Sequence, residues 1–111
     1  MAVRVREVGT ITVLRPQGTL SIDHETPELR QAALGAMDAG ARDLVVNFQD
    51  VSSAASSGIA QLVSMHTIAT TRGVRVKGCC ASPALLELFQ TVQLDTVYEM
   101  YDTEAAALDS F

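Results

Sequence analysis

A chain of 111 residues with 48% apolar and 19% charged side chains is long enough to bury roughly two thirds of its unfolded surface, and too apolar to stay disordered. Its formal charge of -5, with eight scattered basic residues against thirteen acidic ones, excludes a nucleic-acid binder, whose affinity comes from Lys and Arg displacing counterions. No apolar run approaches a bilayer span, Met1 to Arg6 lacks the order of a signal peptide, adjacent Cys79 and Cys80 cannot staple distant segments, and no Cys/His spacing suits zinc. The expectation is one cytoplasmic domain, residues 1–111, with no direct membrane insertion, no nucleic acid, no metal and no cofactor.

Val3, Val5 and Val8, then Ile11, Val13 and Leu14, predict two short β-branched strands meeting at Gly9-Thr10, with Pro16 and Gly18 ending the second. Thr26-Pro27-Glu28 supplies an N-cap, a first-position proline and a first-turn acid. The helix that follows carries Leu29, Ala32, Ala33, Ala36 and Met37 and stops at Gly40.

Leu44-Val45-Val46-Asn47-Phe48 is a near-continuous apolar run, the pattern of a central strand covered on both faces. After a turn, Ser56-Ser57-Gly58 opens a helix with Ile59, Leu62, Val63, Met65 and Ala69 on one stripe, closing near Gly73. His66 falls inside that stripe and reads as a buried imidazole, whereas Gln61, Ser64 and Ile68 fall on the solvent side.

Val74 and Val76 begin another strand, broken by Gly78, and Ser82-Pro83 starts a third helix bearing Leu85, Leu86, Leu88, Phe89 and Val92. Val97 to Met100 is a short extended piece, and Asp102-Thr103-Glu104 caps a last alanine-rich helix. Given a regular pleat, Cys79 and Cys80 point to opposite sides of a strand, so at most one is buried. Strands alternating with helices predict an α/β fold, with a four- to five-stranded mixed sheet and about four helices.

A glycine-rich phosphate loop, a Gly-x-Ser-x-Gly elbow and a His-Glu-x-x-His helix are all missing, and neither a serine nor Cys79 has a base at diagnostic spacing, so the chain reads as a binding module rather than an enzyme. The unit from Leu44 to Ile59, with Asp50-Val51 in its turn and Ser56-Ser57-Gly58 before its helix, resembles the signature of STAS domains, the family of bacterial anti-sigma factor antagonists. Gly18-Thr19-Leu20, Glu28-Leu29-Arg30 and Ser82-Pro83-Ala84 extend the resemblance over nearly the whole chain. The departures are Asn47 and Ala55, where the family commonly has aspartate, and Ser21-Ile22-Asp23, which matches the family's Gly-x-Leu-Asp only through a one-residue slip.

The resemblance implies a protein that binds an anti-sigma factor, itself a serine kinase, and is switched off when the serine before the glycine is phosphorylated. That residue is Ser57 by position, with Ser56 the runner-up. The implied partner surface comprises Asp23, Ser56, Ser57, Gly58, Gln61 and Ile68. Read from the residues alone, Ser56 and Ser57 are N-caps and His24 is a solvated loop histidine. The same family also provides subunits of lipid-importing ABC transporters and scaffolds that work without phosphorylation, so these readings stand beside the first.

Overall fold

The valines of the first segment pair across a two-residue turn. In the computed structural model, which describes residues 2–20 and 28–111, β1 (Ala2–Val8) and β2 (Ile11–Leu20) form an antiparallel hairpin with Val8 opposite Ile11. Gly9 turns the chain at φ +61°, where glycine carries no Cβ penalty. Bonded and non-bonded pairs alternate outward from such a turn, so the even-numbered residues of β1 exchange hydrogen bonds with β2 and the odd-numbered ones do not.

Pro16 and Gly18 do not end the second strand, contrary to the sequence expectation. Pro16 sits opposite Val3 in a non-bonded pair, so the donor it lacks belongs on the other edge. On that edge the parallel pairing of β2 with β3 (Asp43–Asn47) has already ended, at Leu14. Gly18, at φ +94°, donates its N–H to the Asp50 carbonyl at 3.0 Å and pairs with Val51 at the start of β4 (Val51–Ala54), after which the register slips by one residue and sets Thr19 opposite Ser53.

Among the described residues the sheet has six strands rather than four or five. Its order is β1-β2-β3-β5-β6, with β5 at Arg75–Cys79 and β6 at Glu99–Tyr101, and β4 lies beside the far end of β2. Every pairing but the first hairpin is parallel. The added strand is β4, whose Val-Ser-Ser-Ala sequence has too little apolar alternation to read as anything but a turn.

Among the described residues four α-helices flank the sheet. α1 (Glu28–Asp38) ends in a Schellman motif, with Gly40 at φ +100° donating to Met37 and Ala41 donating to Ala36, both at 3.0 Å. α2 spans Ser56–Thr71. α3 (Pro83–Thr91) starts as its sequence predicts, the Ser82 hydroxyl accepting from the Leu85 N–H at 3.2 Å. α4 (Glu104–Asp109) is capped by Thr103, which accepts from the Ala106 N–H at 3.1 Å.

The main core lies between one sheet face and α1, α2 and α3, and contains Leu14, Leu29, Leu44, Val46, Phe48, Leu62, Met65, Phe89 and Tyr98. The opposite face carries a smaller cluster, Val13, Val45, Cys79 and Ala107, under α4. The buried Tyr98 hydroxyl donates to the Leu62 carbonyl at 2.5 Å, tying the segment before β6 to α2, and burial pushes its ionisation far above the usual range.

Gly78 does not break β5 either; it stands between Val46 and Met100 in adjoining strands. A Cβ there would lie 2.6 Å from Met100 Sδ and 3.0 Å from Phe48 Cε2. The thioether can yield, but the Phe48 ring packs edge-on against Phe89 at 5.2 Å between centroids. Gly78→Ala is therefore expected to lower stability by about 1–3 kcal/mol through overpacking. Denaturant titration checks this, and a loss below about 0.5 kcal/mol would mean that the strands part more easily than this packing implies.

Candidate functional site

The β4–α2 junction is where the serines sit. Leu20, the last described residue of β2, pairs with Ala54 at the end of β4. The next residue, Ala55, is the N-cap of α2, at φ -94° and ψ 166°, the extended geometry that a cap requires. Its methyl group can accept nothing, so the helix has no side-chain cap. Ser56 and Ser57 are accordingly the first two helical residues and not caps. Ser57 is half-buried and Gly58 buried, while the Ala55 carbonyl receives the N–H groups of Gly58 and Ile59 at 2.9 and 3.1 Å. No acidic side chain occupies the first turn.

The faces of α2 differ from the sequence reading. Gln61 is only 1% exposed, and its Oε1 accepts the Arg30 backbone N–H at 2.7 Å. Arg30 also reaches the Ser64 hydroxyl through Nη1 at 3.4 Å. Ile68 packs, partly buried, against the main core, whereas Val63 is 43% exposed. The cause is α1, which lies along α2 and draws the buried stripe onto Gly58, Gln61, Leu62, Met65 and Ala69. A periodicity count treats Gln61 as polar and outward, because nothing local announces a backbone donor from another helix.

His66 is half-buried, with its ring edge-on to Tyr98 at 5.3 Å. Asp23 and His24 lie outside the described residues. A small apolar pit of about 190 Å³, lined by Ala54, Ala55, Ile59, Leu88 and Val92, adjoins the helix start.

Two ion-pair groups stand behind the junction. Asp50 Oδ2 accepts from Arg15 Nε at 2.7 Å, and that bond holds the carboxyl below the usual range. Asn47, buried at the end of β3, accepts the Gln49 N–H through Oδ1 at 2.9 Å and donates from Nδ2 to Glu104 Oε1 at 3.1 Å. Arg6 pairs with the other Glu104 oxygen. Burial opposes charge on Glu104, yet Asn47 and Arg6 together keep its carboxyl below the ordinary range. Sequence reasoning missed Arg15, Arg30 and Glu104, since each acts across more than 30 positions of chain.

Cys79 is fully buried and Cys80 partly exposed, both as free thiols, but pleat alternation is not the cause: Cys80 lies beyond the end of β5 at φ +62°, and it packs against the same cluster as Cys79. Burial, then the neighbouring Cys80, pushes the Cys79 thiol well above its usual range. Among the described residues no group of three or more His, Cys, Asp and Glu is placed to hold a metal ion, and no helix is long and apolar enough to cross a membrane.

The STAS domain family model matches residues 2–107. No curated protein matches the chain. Among solved structures, an anti-sigma factor antagonist from Mycobacterium paratuberculosis superposes with a TM-score of 0.84 at 21% identity, over 98% of this chain and 92% of that one. The unphosphorylated form of the anti-sigma factor antagonist SpoIIAA gives 0.73 at 25% identity, over 98% and 96%. The phosphorylated form of SpoIIAA, a Bacillus cell fate determinant, gives 0.73 at 24%, over 98% of each chain.

Two substitutions test the local chemistry. Ala55→Asp is expected to raise stability by about 0.5–2 kcal/mol, because it supplies the missing cap acceptor at the positive end of the helix dipole. Asn47→Asp keeps the acceptor for Gln49 but sets a carboxylate against Glu104, at an expected cost of about 1–3 kcal/mol at pH 7. Like charges raise each other's folded pKa, so that cost should shrink as pH falls and one carboxyl protonates. The unaltered pairs behave oppositely. The depressed carboxyls of Asp50 and Glu104 contribute stability that is present above the ordinary carboxylate range and is lost as pH falls through their folded values. Denaturation curves at pH 7 and in mild acid separate the two signs.

Proposed function

The chain belongs to the STAS domain family, and from that premise we propose that it is an anti-sigma factor antagonist, binding an anti-sigma factor that is also a serine kinase and released from it when Ser57 is phosphorylated. The observation that carries this reading is the position of Ser57 in the first turn of α2, directly before a buried glycine and behind an N-cap with no acceptor of its own. A phosphate there brings about -1.5 to -2 charges to the positive end of a sixteen-residue helix dipole, with no first-turn acid to repel it. The helix therefore tolerates the modification while the surface it presents changes sign.

In the unmodified state the partner surface runs from Ser57 over the apolar pit at Ala55 and Ile59 to the exposed side chains of Val63 and Val92. Gln61 is too buried to offer its side chain to a partner, so its part in recognition is to hold α2 against α1, while the partly buried Ile68 divides its side chain between the core and the proposed surface. Asp23 remains part of the proposed surface through the family resemblance. The new phosphate disrupts the complex by desolvation and charge repulsion at an apolar contact, and α2 needs no refolding for this. The protein is the kinase's substrate in this scheme and performs no catalysis.

Ser57→Asp is expected to keep the melting temperature within about 2–4 °C of the parent while abolishing capture of the cognate anti-sigma factor, and Ser57→Ala is expected to bind whether or not ATP is present. Incubation with that kinase and ATP, followed by mass spectrometry of the peptide covering residues 43–72, locates the phosphate. Modification of Ser56 instead moves the acceptor by one residue. No modification, with binding indifferent to Ser57→Asp, would leave a scaffold that works without phosphorylation.

A further inference from the structure

A second surface lies along the β1 margin of the sheet. β1 is an outer strand, and among the described residues nothing pairs with the side it turns away from β2. Since its even-numbered residues bond to β2, the backbone N–H and C=O groups of Val3, Val5 and Glu7 point outward. Val5 is 57% exposed and borders an open cavity of about 560 Å³ floored by Ala32, Gly35 and Ala36 of α1 and by Ala39 just beyond its end. The other face of the same strand carries Arg4 and Arg6, both exposed, in a chain whose net charge is -5.

We propose that β1 is a docking edge for an extended segment of a partner protein in which acidic and apolar residues alternate, added antiparallel to β1. The register dictates that composition. A residue bonded opposite Val5 projects over the small-residue floor of α1 and is apolar, and its two neighbours face Arg4 and Arg6 and are acidic. Arg6 shares its charge with Glu104, and Arg15, directly opposite Arg4 on the same face, is held by Asp50. Arg4 is thus the cation most available to an incoming carboxylate. Glu7 extends the preference by one position, since it faces a residue that is basic or neutral.

A second copy of this chain is a poor occupant. Every antiparallel register that sets Val5 opposite an outward residue of another β1, whether Val3, Val5 or Glu7, also sets an arginine opposite an arginine. Like charges directly opposite destabilise a strand pair, so the edge that admits an acidic strand rejects its own kind. The surface is separate from Ser57, and this inference does not depend on phosphorylation.

The test uses the full chain and two labelled peptides, Lys-Glu-Val-Glu-Val and its charge-swapped counterpart Glu-Lys-Val-Lys-Val, followed by fluorescence anisotropy at low and high salt. The acidic peptide is expected to bind at least about tenfold more tightly than the swapped one, with the difference closing as salt screens it. Val5→Pro removes one outward N–H and touches no bond between β1 and β2, so it should weaken binding about tenfold while the melting temperature holds. Arg4→Glu should reverse the peptide preference. If Val5→Pro fails to fold, the peptide comparison on the unaltered chain decides alone. Equal affinity for the two peptides, or amide shifts confined to α2 and α3, overturns the proposal. So does concentration-dependent dimerisation that Val5→Pro abolishes, which would assign the edge to a second copy.

Discussion

Everything in this fold is arranged so that β3 is covered on both sides. Leu44 and Val46 face the layer of α1, α2 and α3, Val45 and Asn47 face α4, and all four side chains are almost wholly removed from water. Each fully buried aliphatic side chain contributes about 1.5–3 kcal/mol in transfer terms, so a five-residue strand supplies much of the drive for the two layers to close on it. The one polar residue in that set, Asn47, is admitted because both ends of its amide are bonded. The helices that present the candidate site are therefore held by a strand that is buried from Leu44 to Asn47 and meets solvent only at Asp43.

The same constraint decides where charge can be placed. At the end of β3 stands the neutral amide of Asn47, and the carboxylate beside it comes from α4, as Glu104, with that amide and the guanidinium of Arg6 on its two oxygens. The amide and the acid lie 57 positions apart in sequence and one hydrogen bond apart in space. A comparable exchange operates at α2. Leaving Ala55 without a cap acceptor sacrifices local helix stability and leaves the dipole at the helix start uncompensated by any N-cap side chain or first-turn acid. The pit beside the helix start gains part of its apolar lining from the same residue.

Much of this was legible in the sequence, where the signal was local. The Leu44 run, the Ser82-Pro83 and Thr103 caps and the glycine stop after α1 rest on contacts within a few residues, and all are found as read, whereas the two cysteines do not alternate, because Cys80 leaves the strand at φ +62°. The illegible parts depend on partners far along the chain. β4 is a strand because the end of β2 has no other neighbour, Pro16 is tolerated because β3 has already ended, and Gly78 is required because Met100 and Phe48 crowd it. Gln61 is inside because α1 brings it a backbone donor. At the site, the serines and the glycine were legible through their pattern, while the cations and acids behind them were not.

The buried thiol of Cys79 has a consequence of another kind. It lies on a strand flanked by β3 and β6, beneath α4, with its proton held tightly by desolvation. No thiolate is present for oxidants or alkylating reagents unless β5 is drawn out of the sheet, whereas Cys80, next to it, is partly open to solvent. The two adjacent sulfurs thus form a clock with one fast hand and one slow hand. The first records reagent concentration, and the second records how often the centre of the molecule comes apart.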